Sequence, residues 1–259
     1  MRWAEKDNKK IESAPNEKAT CPLCGEEVIS KCGDINIWHW AHKNKKDCDS
    51  WWEPESEWHK EWKNNFPIEQ QEFIMGRHRA DIRTKDRWII ELQNSTISSN
   101  EITDREEYYK RMIWLINGKT LCKGLRIRDK DNKITFRWKS PPKSWWVAKM
   151  DVYVDMSGIV DILKVLLNNY IFNDKKHSSI GHEYESYEYY TEYGEHMVVD
   201  KKYPTSYRYD TTDIEIKNIK KKIKLLDNKI FLIKRIYNKI PCGGYGVLIS
   251  KEEFLNKFI

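Results

Sequence analysis

Residues 78–95, HRADIRTKDRWIIELQNS, restrict the fold more than any other stretch of the chain. Two short apolar runs, RADI and RWIIEL, flank the polar turn TKD. In the second run Trp88, Ile90 and Leu92 alternate with Ile89, Glu91 and Gln93. That is the period of a strand, so the spacing predicts two adjacent strands of one hairpin. Parity sets Ala80 and Ile82 on one side of the first strand and Asp81 on the other, and Glu91 and Gln93 on one side of the second. Acidic residues are poor sheet formers and costly if buried unpaired. Two carboxylates facing each other across a hairpin repel unless a cation lies between them. A hard divalent ion such as Mg²⁺ is the simplest remedy; a solvated outer face is the plainer alternative.

The flanking segments supply elements around this hairpin. Residues 54–66, PESEWHKEWKNNF, read as a helix with Pro54 in its first turn and Glu55 and Glu57 near the positive end of its dipole. A helical wheel puts Glu55, His59, Trp62 and Phe66 on one side, with Ser56 and Lys63 beside them and Glu57, Lys60, Glu61 and Asn64 pointing away. The wheel favours Glu55 over Glu57 as a third carboxylate, and His59 reads equally as a packed, hydrogen-bonded core histidine. IEQQEFIM, residues 68–75, reads as a strand. SSNEITDREEYYKRM reads as a helix capped by Thr103 or Asp104, with Glu106 or Glu107 in its first turn. Arg105 and Lys110 on it are candidate phosphate contacts. Ile113, Trp114, Leu115 and Ile116 form a short apolar run typical of a central or parallel strand, ending at the turn Asn117-Gly118. The resulting order over about residues 54–118 is αβββαβ.

Cysteine usage points to a metal in the N-terminal part. Four of the six cysteines, Cys21, Cys24, Cys32 and Cys48, lie near His39 and His42. CPLCG is a knuckle in which two thiolates converge on one ion. Cys21, Cys24, His42 and Cys48 would form a closed Cys₃His tetrahedron, hence a structural Zn²⁺ site. His39 is the alternative to His42, and Cys32 could displace one of the sulfurs. Zinc would supply folding energy to a segment of about 40 residues that buries little by itself. Residues 1–19 read as a small strand pair or a loose arm.

Composition narrows the classes. A chain of 259 residues can hold one large domain or two small ones. A net charge of +6 with 33% charged residues excludes a strongly basic nucleic-acid tail and is compatible with DNA binding. Aromatic residues at 13% exceed what a disordered chain carries. With no long apolar run and no signal-peptide core in MRWAEKDNKK, the expectation is a soluble, cytoplasmic protein without a membrane partner.

The string D-x(9)-E-x-Q resembles the metal-binding core of the PD-(D/E)XK nuclease superfamily, with Gln93 where lysine is usual. HRADI, IIELQNS, ITDREEYY and WLING, four blocks in order, resemble the competence protein CoiA-like nuclease family. So does the pattern of Glu55, Ser56, His59 and Lys63, and WHWAH resembles that family's zinc-finger step, which favours His42 as the ligand. The resemblance implies a restriction-endonuclease-like αβββαβ core in an α/β protein. It also implies Mg²⁺- or Mn²⁺-dependent hydrolysis of DNA phosphodiester bonds. Asp81 and Glu91 would hold the ion, Glu55 would contribute, and Gln93 would position water. Lys63 or Arg79 would supply the positive charge that Gln93 lacks, with a catalytically weak nucleic-acid-binding protein as the alternative. A homodimer and a role in competence, in phage or mobile-element DNA metabolism, or in defence are further expectations of that kinship. The division implied is a zinc-binding module at 1–53, a nuclease-like core at 54–158 and a mostly helical C-terminal region at 159–259.

The remaining chain is less specific. In residues 121–156, Arg126, Arg128, Arg137, Lys139 and Lys143 interleave with Trp138, Trp145 and Trp146, as a DNA-facing surface or as ordinary core around tryptophans. Residues 159–173 read as a packed helix, and 183–209 as an acidic, tyrosine-rich segment of undecided role. Isoleucines and leucines at three- and four-residue intervals predict a long basic-faced helix over 212–240. A short strand and a terminal helix capped by Ser250 close the chain.

Overall fold

The structure, a computed structural model, describes residues 1–35, 37–43, 48–122, 124–130, 133–178, 188–190, 196–198, 205–237 and 242–259, with side chains left aside at 130, 170–213 and 235–241. The protein is a mixed α/β fold with an N-terminal Cys/His cluster and helices in its C-terminal region. Among the described residues no helix is long and apolar enough to cross a membrane.

The first five strands are β1 (Trp3–Lys6), β2 (Lys9–Glu12), β3 (Lys18–Thr20), β4 (Glu27–Lys31) and β5 (His39–His42). They form one antiparallel sheet in the order β2-β1-β3-β4-β5. Residues 1–19 are therefore built into a sheet rather than forming a loose arm. Met1, Ala4, Ala19, Cys21, Val28 and Trp40 make its small core.

The helix α1 (Glu57–Lys63) follows, shorter than expected. Ser56 is its N-cap, and the His59 ring returns to the Ser56 N–H, so the reciprocal cap starts the helix after Pro54 and Glu55. Three antiparallel strands come next: β6 (Gln71–Met75), β7 (His78–Arg83) and β8 (Ile89–Gln93). The start of the expected 68–75 strand is instead a 3₁₀ turn, Ile68–Gln70. The hairpin pairs Ile82 with Ile90 and Arg83 with Ile89. Helix α2 (Ser99–Tyr109) is capped by Ser98, whose side chain accepts from the Glu101 N–H. Thr103 and Asp104 lie inside it, not at its cap. Strand β9 (Met112–Asn117) then runs parallel to β8, buried at every position. Asn117 caps a short helix, α3 (Gly118–Leu121), where a turn was expected.

Strands β10 (Leu125–Lys130) and β11 (Lys133–Trp138) form a hairpin, and β12 (Val152–Asp155) lies parallel to β9. Helix α4 (Ser157–Ser178) matches the packed helix read from the sequence. In the tyrosine-rich segment, β13 (Glu188–Tyr190) and β14 (His196–Val198) pair with each other; most of that segment lies outside the described residues. Helix α5 (Thr205–Leu226) ends well before 240. Asn228 adopts φ +54°, and β15 (Lys229–Tyr237) follows as a strand, so the expected long helix is half helix and half strand. Ile240 lies outside the described residues. Strand β16 (Cys242–Ser250) and helix α6 (Lys251–Phe258), capped by Ser250, close the chain.

The main sheet has nine strands in the order β10-β11-β16-β15-β12-β9-β8-β7-β6. Around its parallel strands, β8, β9 and β12, both faces are covered. Trp62 and Phe66 near α1 and Phe254 and Phe258 of α6 pack with Ile82, Ile90 and Leu92 on one side. Ile102 and Tyr109 of α2 and Val160 of α4 pack with Ile89, Trp114 and Ile116 on the other. The N-terminal sheet docks on β6. The Glu72 carboxylate accepts from the backbone N–H groups of Arg2 and Trp3 at 2.8 and 3.2 Å, and Gln71 accepts from the Trp3 indole at 3.0 Å.

Candidate functional site

The cysteine cluster is built by local turns. The Gly25 N–H returns to the Cys21 carbonyl at 2.9 Å, with Gly25 at φ +76°, so Cys21 and Cys24 end on one side of the knuckle. His42 at the end of β5 and Cys48 complete a group whose ligand atoms all lie within 4.8 Å of one another. The Cys21 and Cys48 sulfurs are 3.7 Å apart, and Cys24 Sγ is 3.3 Å from His42 Nε2. A tetrahedral ion with ~2.3 Å bonds to sulfur has edges of ~3.8 Å, so the spacing and the soft donor set fit Zn²⁺. Burial and the neighbouring Cys21 and Cys24 push the Cys48 thiol up to about 12. His39 turns its Nδ1 to the Ile37 carbonyl, and neither His39 nor Cys32 belongs to the group.

Asp49, next to Cys48, ties this module to the central hairpin. Its Oδ1 pairs with His78 Nδ1 at 2.8 Å, and its Oδ2 accepts from the Arg79 N–H at 2.8 Å. Trp51 stacks on the His78 ring with centroids 3.4 Å apart.

Two residues along β7 lies Asp81, in a small cleft of about 30 Å³ shared with Glu53, Glu55, His59, Lys63, Glu72, Arg79, Glu91 and Arg105. The Leu92 N–H donates to Asp81 Oδ2 at 3.0 Å, and the Asp81 N–H donates to Glu91 Oε1 at 3.4 Å, so the two carboxylates do meet across the hairpin. The chain supplies a separate cation to each of them. Lys63 Nζ lies 2.9 Å from Glu55, 3.1 Å from Asp81 and 3.3 Å from Glu72, with its side chain 2% exposed. Arg105 reaches Glu91 at 2.6 Å and also binds Glu101 and the Trp51 carbonyl. Arg105 is therefore buried and engaged within the chain, because α2 packs it over β8.

Each charge is tuned by these neighbours. Burial pushes Asp81 up, but Lys63, His59 and the Leu92 N–H outweigh it and hold the carboxyl below its ordinary range. Glu72 is likewise held down, burial being outweighed by Lys63, Arg79 and the N-terminal ammonium. Burial pushes Glu91 up to about 7; Arg105 opposes the rise and Asp81 adds to it. Burial works against Lys63, yet Glu55, Asp81 and Glu72 raise it and keep it charged.

The other expected residues divide. Glu55 precedes α1 yet turns into the cleft, whereas Glu57 is exposed. His59 is packed and hydrogen-bonded, Nδ1 to Ser56 and Nε2 to the Leu92 carbonyl at 3.2 Å. Gln93 donates to Glu53 at 3.1 Å and to the Ser95 carbonyl at 3.2 Å. Arg79 lies 3.8 Å from Glu72 rather than on Asp81. Lys110, Lys139 and Lys143 are exposed. Trp138 and Trp145 are 1% and 5% exposed and belong to the core; Trp146 is exposed. Glu72 was missed by sequence reasoning. It sits at φ +44° opposite the hairpin, an irregularity that a five-residue strand does not announce.

In donor chemistry, Asp81, Glu91 and Glu55 suit a hard divalent ion, and Glu55 Oε1 and Gln93 Oε1 are buried without a partner. They are not gathered into an ion-binding group, because Lys63 and Arg105 take their charge. Among the described residues, the assembled metal-type group is the Cys₃His cluster. No curated protein and no solved structure matches the chain. Residues 3–50 match the family described as competence protein CoiA, N-terminal domain, which makes the Cys₃His-bearing sheet similar to that domain.

Proposed function

We propose that the protein is a zinc-containing nucleic-acid-binding protein on a restriction-endonuclease-like core of the PD-(D/E)XK type. The order α1-β6-β7-β8-α2-β9 supports the core, with three antiparallel strands followed by one parallel to the third. The similarity of residues 3–50 to the CoiA N-terminal domain supports the kinship. The observation that carries binding ahead of cleavage is the charge balance of the cleft. Lys63 and Arg105 already neutralise the carboxylates that would otherwise draw an ion.

A metal-dependent DNA nuclease is the second reading. It is favoured by Lys63, which puts a buried positive charge 3.1 Å from Asp81 where Gln93 carries none. In that reading Asp81 and Glu91, helped by Glu55, hold Mg²⁺ or Mn²⁺. Such an ion polarises a phosphate and lowers the pKa of water. Lys63 or Arg105 must first release a carboxylate. One experiment separates the readings: binding and integrity of labelled DNA with and without Mn²⁺, for wild type and Asp81→Ala. Salt-sensitive binding with intact DNA supports the first reading. Cleavage that needs both the ion and Asp81 supports the second, and absence of binding contradicts both.

A further inference from the structure

The free end of the nine-stranded sheet has one apolar and one cationic face. Leu125, Ile127, Ile134, Phe136 and Trp138 of β10 and β11 turn toward the core. The alternate positions, Arg126, Arg128 and Arg137, are exposed. Register orders them into two cross-strand rows. Arg126 lies opposite Arg137, which lies opposite Gly243 of β16; Arg128 lies opposite Thr135, which lies opposite Tyr245. Residues directly opposite in an antiparallel pair point to the same side with Cβ atoms ~4.5–5.5 Å apart. The face therefore carries three guanidinium groups and one phenol ring, Tyr245 being 44% exposed.

The arrangement concentrates positive charge on one face, with Arg126 and Arg137 directly opposite each other. Among the described residues Arg128 and Arg137 make no ion pair. Charged residues can protect a sheet edge, but that explains only β10, since β11 is paired on both sides. Arginines beside an exposed aromatic ring suit a polymer with phosphates and unstacked bases, not a duplex whose bases are already stacked.

We propose that the exposed face of β10, β11 and β16 binds single-stranded nucleic acid, with Arg126, Arg128 and Arg137 on its phosphates and Tyr245 stacked on a base. This rests on the nucleic-acid reading above and adds to it the surface and the strandedness. β11 stands six strands from β7, about 29 Å at ~4.8 Å per strand, so the face is separate from the Asp81 cleft.

The test is fluorescence anisotropy of labelled single-stranded DNA, single-stranded RNA and duplex DNA over a salt series, without added divalent ion. Wild type should prefer single strands. Replacing Arg126, Arg128 and Arg137 by Gln should weaken single-strand binding at least tenfold and reduce the log–log salt slope by about 2, at ~0.7 per phosphate contact. Tyr245→Ala should weaken it by about tenfold, and Tyr245→Phe should restore it. A charge-matched control on the exposed face of α5, with Lys217, Lys220 and Lys221 replaced by Gln, should change binding less than twofold. Thr135→Arg, which adds a cation to the second row, should steepen the slope by about 0.7 and tests the face even if the triple variant folds poorly. Wild-type affinity in the face variants, equal loss in the control, or tighter binding to duplex overturns this proposal alone. Absence of any binding by wild type overturns the nucleic-acid reading itself.

Discussion

Replacing Lys63 by Met keeps the apolar stem and removes the ammonium from between Glu55, Asp81 and Glu72, 2.9, 3.1 and 3.3 Å away. Removing one partner of a buried ion pair costs about 3–5 kcal/mol, because the remaining charge stays buried without compensation. The three contacts share one cation, and the stranded carboxylates can take up protons, so the loss should be about 4 kcal/mol rather than three times that. At ~2–4 °C per kcal/mol for a chain of this size, Tm should fall by roughly 8–16 °C. The pH dependence identifies the cause. Asp81 and Glu72 are held below their ordinary values, so their contribution is present above the unfolded carboxylate range and is lost as pH falls through the folded values. The gap between Lys63→Met and wild type should be widest at neutral pH and should narrow below pH ~4, the unfolded carboxylate range. Urea unfolding from pH 2 to 8 measures it. A loss under about 1 kcal/mol at neutral pH, or a gap independent of pH, refutes the reasoning.

Three further outcomes follow from the same geometry. Purified protein should carry one zinc per chain; Cys48→Ser should lose it together with hydrogen-exchange protection of β3 to β5, whereas Cys32→Ser should keep both. Because burial raises Glu91 to about 7, the folded state holds more protons than the unfolded chain between the ordinary glutamate range and that value. Stability should therefore fall as pH rises through this window, by roughly 3 kcal/mol, and Glu91→Gln should flatten that slope in urea titrations; an unchanged slope assigns it elsewhere. Asp155 accepts the indole N–H groups of Trp58 and Trp62 at 2.7 and 2.8 Å and the Ser157 N–H at 2.9 Å. Asp155→Ala should cost about 3 kcal/mol or more by leaving these donors unpaired, and a loss below about 1 kcal/mol by urea unfolding contradicts that.

What was legible in the sequence is what local chemistry determines. The alternation in RWIIEL fixed the hairpin, and with it the meeting of Asp81 and Glu91. CPLCG specified a metal knuckle, and Ser250 specified the last helix cap. The misreadings arise where distant packing decides. Ile230 and Ile233 continue the helical spacing of the preceding isoleucines, yet Ile230, Phe231 and Leu232 are a run buried on both faces and make a strand once Asn228 has ended the helix at positive φ. The cation needed by the carboxylates looked like a metal because Lys63 and Arg105 are 18 and 14 residues from the side chains they neutralise, Asp81 and Glu91. Only the packing of α1 and α2 on the sheet brings them together. The arginines were legible as one candidate surface, but their aromatic neighbour was not: Trp138 and Trp145 turn inward, and the ring beside the arginines in space, Tyr245, comes from β16.

The most direct test of the central claim is the affinity of the zinc-loaded protein for labelled single-stranded and duplex nucleic acid across a salt series. The same samples should be run on a denaturing gel after incubation with Mn²⁺. The account predicts binding whose log affinity falls linearly with log salt, with the strands recovered intact. Strands cut in wild type and spared in both Asp81→Ala and Glu91→Ala would replace it with the nuclease reading. A folded, zinc-loaded protein that binds none of the substrates at low salt would contradict it outright.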